Sequence, residues 1–357
     1  MTPPRIALLA PGLRWGGRDL WNTALALGLG AHGVEVAGIG VLRPERIARE
    51  FRARLEGRCR IAEGQDACRA LVASSDLVVL SGDIGAVPDL GKPAVFVSHG
   101  QSAQARVIAT AWAPQVVHWA AVSPNATVGL PLGATGPVIP NGLDVDRCEA
   151  GRERSVVRQA WGVADGECVV AYLGRLAAEK NVGILVECMK RLSLDHERTY
   201  QLVVYGAAEE DVIEALRWQC RTLPVRAICR YPVMEVGEVY RAADCVVCPS
   251  DGECWSLVPA EAWYCGCPVV TTPTGVMLDL QEEFGELAAV VPVQPTPHQV
   301  ADGIRYALSP DFRPSVTRAR GVARRFTAER MCGTWAQFIL RCSESNSTSP
   351  TGVTSGA

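Results

Sequence analysis

Residues 249–275 read Pro-Ser-Asp-Gly-Glu-Cys-Trp-Ser-Leu-Val-Pro-Ala-Glu-Ala-Trp-Tyr-Cys-Gly-Cys-Pro-Val-Val-Thr-Thr-Pro-Thr-Gly. The apolar residues just before them, Cys245 to Cys248, read as a strand. About Val258 to Tyr264 reads as a helix, and Gly266 to Val270 as the start of the next strand. Strand, loop, helix, strand is a βαβ crossover. Its loop lies at the carboxyl end of the first strand, where open α/β sheets bind their ligands. The helix N-terminus offers unpaired N–H groups that suit a phosphate. Glu253 falls on the loop and Glu261 inside the helix, so the two carboxylates do not share one helical face. They are spaced to reach two different parts of one ligand.

The same alternation runs outward in both directions. Toward the N-terminus, strands are expected at 5–10, 34–41, 76–80, 94–100, 117–123 and 137–140, with helices from about Asp19 to Ala31 and over 44–57. After Asn141 the pattern restarts. Strands are expected at 168–173, 200–205 and 225–231, and helices at 181–192, 209–220 and 236–242. Beyond the crossover come a strand at 288–294 and helices at 297–308 and 315–341. Apolar strands alternating with helices imply parallel, doubly wound sheets covered on both faces. With 357 residues the chain is long enough for two such domains.

This arrangement resembles the retaining glycosyltransferases of family 4, whose hallmark is Glu-x7-Glu in this setting. Three further segments carry the resemblance in the family's order: Tyr-Leu-Gly-Arg-Leu-Ala-Ala-Glu-Lys-Asn at 172–181, Val-Ile-Pro-Asn-Gly-Leu-Asp at 138–144, and Tyr-Arg-Ala-Ala-Asp-Cys-Val-Val-Cys-Pro-Ser at 240–250. The resemblance implies the GT-B fold, two Rossmann-like domains facing across a cleft. Residues 1–145 would bind the acceptor and 146–320 the nucleotide sugar. Residues 321–341 would form a helix crossing back to the first domain, and 342–357, polar and low in complexity, a disordered tail.

The implied reaction is transfer of a sugar from a nucleoside diphosphate to an acceptor hydroxyl, with retention and without a metal or other cofactor. Arg175 and Lys180 follow the strand ending at Gly174 and would neutralise the leaving diphosphate. Glu261 would accept from ribose hydroxyls and Glu253 would hold a donor-sugar hydroxyl near the reacting carbon. The amides of Cys254, Trp255, Ser256 and Leu257 would bind sugar or phosphate. The chain departs from the family at this point, because Cys254 and Ser256 stand where the family has glycines. Gly16 and Gly17 precede a helix, and their loop can approach a diphosphate closely. By the same resemblance His99, at the end of a strand, would lie near the transfer point as a hydrogen-bond donor or proton handler. Asn141, Gly142 and Asp144 would mark the hinge. The alternatives are a nucleotide-sugar epimerase of the same fold and a binding protein that has lost turnover.

Composition narrows the partners. A net charge of −3 argues against nucleic acid, and 48% hydrophobic with 20% charged residues is ordinary for a globular protein. No apolar run is long enough to span a bilayer, and the short apolar start does not read as a signal peptide, so a cytoplasmic chain is expected. Residues 43–60 hold seven arginines and three glutamates, with Ile47, Phe51 and Leu55 on one stripe. A solvated helix is the ordinary reading of that pattern; weak peripheral contact with the inner face of an anionic membrane is the alternative. The fourteen cysteines are expected as free thiols. Cys245 and Cys248, three apart on a strand, point to opposite faces and cannot share a metal.

Overall fold

The computed structural model describes residues 2–82, 90–208, 210–223, 225–230 and 232–347. Residues 348–357 of the expected tail, and Glu209 and Tyr231 at the ends of expected elements, lie outside the described residues. The chain divides into two compact units. One holds the chain up to Arg14, Arg18–Pro140 and the segment from Ala328 onward; the other holds Trp15–Gly17 and Asn141–Thr327.

In the first unit the strands are β1 (Arg5–Ala10), β2 (Glu35–Val41), β3 (Ile61–Glu63), β4 (Leu77–Leu80), β5 (Ala94–Ser98) and β6 (Val116–Ala121). Its helices are α1 (Gly17–Gly28), α2 (Arg49–Leu55), α3 (Gln65–Ala73) and α4 (Ala103–Trp112). The strands pair in parallel in the order β3-β2-β1-β4-β5-β6. β1, β4 and β5 are apolar and buried along nearly their whole length, as strands covered on both faces must be.

The second unit opens with α5 (Val145–Glu149) and α6 (Arg154–Trp161). There follow β7 (Cys168–Arg175), α7 (Gly183–Leu192), β8 (Tyr200–Ala207), α8 (Glu210–Arg221), β9 (Ala227–Arg230) and α9 (Val236–Ala242). The βαβ crossover is β10 (Cys245–Cys248), α10 (Leu257–Tyr264) and β11 (Val269–Thr271). The unit closes with α11 (Met277–Phe284), β12 (Ala289–Val290), α12 (Pro297–Ala307) and α13 (Arg313–Ala323). The sheet order is β12-β11-β10-β7-β8-β9. Numbered from β7, this is the same winding as in the first unit. In each sheet the order reverses between the first and fourth strands, β1/β4 and β7/β10, and a crevice opens there beyond the strand ends. Cys245 packs in the cluster on one face of the second sheet and Cys248 in the cluster on the other.

Several elements differ from the sequence expectation. The strand expected at 137–140 is a single bridge between Val138 and Ala121, because Pro137 and Pro140 have no N–H to extend a ladder. The helix expected over 44–57 is a 3-10 turn at Pro44–Arg46 followed by the shorter α2. The strand expected at 288–294 is the two-residue edge β12. β3, α3, α4, α5, α6 and α11 were not anticipated.

The C-terminal boundary also moves. Ala319, Val322 and Ala323 of α13 are buried in the core of the second unit, so that unit runs to Thr327 rather than 320. The last helix, α14 (Ala328–Ser347), belongs to the first unit. Its Trp335 is fully buried, edge-on to Trp21 of α1 at 5.2 Å. The helix continues through 342–347, which the sequence assigned to the tail, and Cys342 is buried within it.

Candidate active site

The candidate site lies where the second sheet reverses its strand order. β7 ends at Arg175, and Gly174 has φ 142°. A Cβ there would sit 3.2 Å from the hydroxyl of Tyr172, which donates to the carbonyl of Arg175 at 2.6 Å. A 3-10 turn at Ala178–Lys180 follows, and Asn181 reverses the chain at φ 51° before α7 starts. Asparagine tolerates this left-handed conformation better than most residues. Asn181 also pins the neighbouring loop: its Nδ2 donates to the carbonyl of Pro249 at 3.1 Å and to the carboxylate of Asp251. The amide of Asp251 donates back to the carbonyl of Glu179 at 2.8 Å. These bonds hold the loops after β7 and β10 together.

Their side chains meet in one pair. Lys180 Nζ lies 2.6 Å from Glu253 Oε1, and the two side chains are 16% and 19% exposed. Ser250 Oγ donates to the same oxygen at 2.8 Å. Gly275, at φ 66°, packs against this loop; a Cβ there would lie 3.2 Å from that of Glu253. Burial, then the Glu253 charge, push the Cys254 thiol up to about 11, so it stays protonated at neutral pH.

Arg175 and Glu261 are placed differently from that pair. Arg175 is half exposed and bonds Glu179 at 2.8 Å. Glu261 is buried in α10, which is apolar around its whole circumference. Arg147 of α5 donates to its Oε1 at 2.6 Å, and Tyr240 of α9 donates to Oε2 at 2.9 Å. Burial and then Glu261 hold the Tyr240 phenol well above its usual range, which keeps it a donor. Both oxygens of Glu261 are thus engaged inside the unit, and facing a ribose would require the Arg147 pair to open. Arg147, Tyr240, Asn181, Ser250 and Gly275 were given no role from sequence. A glutamate in an all-apolar helix does signal that a buried cation must compensate it, but not which one.

The side chain of Trp255 lies in the core, 4.9 Å from the ring of Phe326, and the two line a small cavity with Thr271 and Met277. Ser256 is the N-cap of α10 at φ 64°, and its side chain makes no cap bond. Leu257 begins the helix, whose first-turn N–H groups receive no cap from Ser256. A cavity of about 550 Å³ adjoins this region between α7 and α8. It is lined by Asn181 and Asp251 and otherwise mainly by apolar residues such as Val182, Ile184 and Leu216; Lys180 and Glu253 are not in its walls.

In the first unit His99 follows β5. Its ring meets Trp21 edge-on at 4.8 Å, and its Nε2 is enclosed without a hydrogen-bond partner among the described residues. Burial, then the nearby Arg18 charge, push the imidazole down to about 3, so it is neutral. Gly17 opens α1, and Gly16 and Gly17 group with the second unit.

Residues 153–321 match the family model of the glycosyl transferases group 1. The D-inositol 3-phosphate glycosyltransferase of Corynebacterium jeikeium is 35% identical over 149 residues, 39% of this chain and 35% of that protein. That of Actinosynnema mirum is 32% identical over 205 residues, 54% of this chain and 48% of the relative. The matches thus span a third to a half of these curated relatives. Among solved structures, Anabaena Alr3699/HepE in complex with UDP-glucose aligns with a TM-score of 0.76 at 20% identity, over 95% of this chain and all of that one. WaaG, a glycosyltransferase involved in lipopolysaccharide biosynthesis, aligns with a TM-score of 0.70 at 16% identity, over 94% and 99%. The chain therefore has the GT-B fold, with two Rossmann-like α/β units. No helix among the described residues is long and apolar enough to cross a membrane.

Proposed function

We propose that this protein transfers a sugar from a nucleoside diphosphate to an acceptor hydroxyl, with retention of configuration and without a metal. The observation that carries the reading is the Lys180–Glu253 pair, held at adjacent strand ends where the second sheet reverses its order. The match of the surrounding residues to group 1 glycosyl transferases and the likeness in fold to a protein solved with UDP-glucose support it.

The geometry suggests how such a donor is received. Without ligand, Lys180 and Glu253 satisfy each other, so neither charge is left buried alone. An arriving diphosphate competes for the ammonium, which moves onto a phosphate oxygen. Glu253 is then free to accept from a hydroxyl of the sugar. Arg175, tethered to a half-exposed Glu179, swings to the other phosphate at little cost, because exposed ion pairs are weak. The open N–H groups of α10 add a fixed positive pole. As the glycosidic bond breaks, these groups stabilise the charge building on the diphosphate, and an oxygen of that leaving group takes the proton of the incoming hydroxyl. The acceptor approaches from the same face as the leaving group, which preserves configuration. Glu261 supports α10 through Arg147 and reaches a ribose only if that pair opens.

The test is a panel of nucleotide sugars with release of nucleoside diphosphate as the readout, repeated with excess chelator. Lys180→Met and Glu253→Gln are each expected to lower kcat/KM by about 10²-fold or more. Turnover unaffected by both substitutions overturns the reading. An inverted anomeric centre in the product, read by proton NMR, overturns the stereochemical part alone.

A further inference from the structure

Two thiols outside the candidate site lie in contact. Cys220, near the end of α8, and Cys229, in the edge strand β9, have their sulfurs 3.6 Å apart. Cys220 is buried, whereas Cys229 is only half-buried. The contact bridges two elements, so it is not a consequence of neighbouring positions in one helix or strand. A disulfide needs the sulfurs at about 2.0 Å, about 1.6 Å closer than they stand.

We propose that Cys220 and Cys229 form a reversible disulfide, made by a peroxide-class oxidant and opened by a dithiol reductant. The half-buried Cys229 is the sulfur an oxidant reaches. Its thiol lies below its usual range, first through the bond from Cys220 and then through the nearby charge of Arg217, against the effect of burial. The Cys229 thiolate attacks the peroxide O–O bond, giving a sulfenic acid and releasing hydroxide. The Cys220 sulfur then displaces the sulfenic oxygen. The S–S bond forms, the Cys220 proton and the hydroxyl leave as water, and two electrons have passed from the thiols to the peroxide. The product ties the C-terminal end of α8 to the outermost strand of the sheet, which β8 alone otherwise pairs. α8 also lines the cavity beside the candidate site through Val212, Leu216 and Gln219.

The full-length reduced protein is treated with near-stoichiometric hydrogen peroxide, then denatured, its thiols counted and its peptides mapped. Two of the fourteen thiols are expected to disappear first, the Cys220 and Cys229 peptides to be joined, and dithiothreitol to restore both. In Cys220→Ser, and in Cys220→Ala as a check on folding, Cys229 is expected to remain a sulfenic acid trapped by dimedone. The idea is overturned if wild-type Cys229 takes up dimedone without pairing. It is equally overturned if the first bond joins another pair, such as Cys148 and Cys265, or if these two thiols survive an oxidant dose that consumes the rest. None of these readouts uses transferase activity, so they stand apart from the proposed function.

Discussion

Ser256 shows how one residue carries both the resemblance and a departure from it. Its φ of 64° is the left-handed region where a side chain is strained and glycine is not. The family's glycine at this position thus has a backbone reason, and the serine bears the cost. Ser256→Gly is expected to stabilise the protein by about 1 kcal/mol, less the flexibility that glycine adds to the unfolded chain, measured by chemical denaturation. Gly275→Ala is expected to do the opposite, by about 1–2 kcal/mol, because it adds a Cβ 3.2 Å from that of Glu253 at φ 66°. It should also lower turnover, since the displaced group is the loop that presents Glu253. The positions of Lys180, Glu253 and Ser256 in loops after strand ends were legible in the sequence, because strand and turn patterns are short and local. The clamp made by Asn181 was not, since it depends on a loop seventy residues further along the chain.

At the scale of elements, α10 holds the second lesson. Its apolar circumference predicts burial on all sides, and the structure packs it among β10, β11, α9 and α13. A carboxylate carried inside by such a helix must be compensated, and Arg147 and Tyr240 do so from α5 and α9. Removing one partner leaves a buried charge alone. Arg147→Met is expected to destabilise the second unit by about 3–5 kcal/mol, whereas adding Glu261→Leu to it should recover much of the loss. Urea denaturation of the two single variants and the double variant measures this coupling, and additive losses would argue against it. The proline-flanked segment 137–140 makes the converse point. Its apolar residues read as a strand, but the missing N–H groups reduce it to one bridge.

At the scale of the whole molecule, the chain returns to its first unit after Thr327. α14 places Trp335, Ile339 and Phe338 in that unit. Trp335→Ala is expected to cost about 3–5 kcal/mol. Amide exchange should accelerate in β1, β4 and β5 while β7, β8 and β10 keep their protection, as expected of two separate cores. Stability should also depend on pH through His99. Its folded pKa is pushed to about 3, so between that value and the unfolded value near 6.5 the unfolded chain binds the extra proton. The contribution is complete above about 6.5 and is lost progressively as the pH falls toward 3. From pH 7 to 5 the loss should reach at most about 2 kcal/mol, and His99→Gln should remove it. Denaturation of both proteins at the two pH values checks the sign. The sequence by itself determined two doubly wound α/β units and the strand ends that carry Lys180 and Glu253, because strand periodicity and turn chemistry are written locally. Only the tertiary structure decided that Glu261 faces Arg147, that Trp255 lies in the core and that two distant thiols touch. Those outcomes depend on which faces pack together and which charges must be compensated once water is excluded.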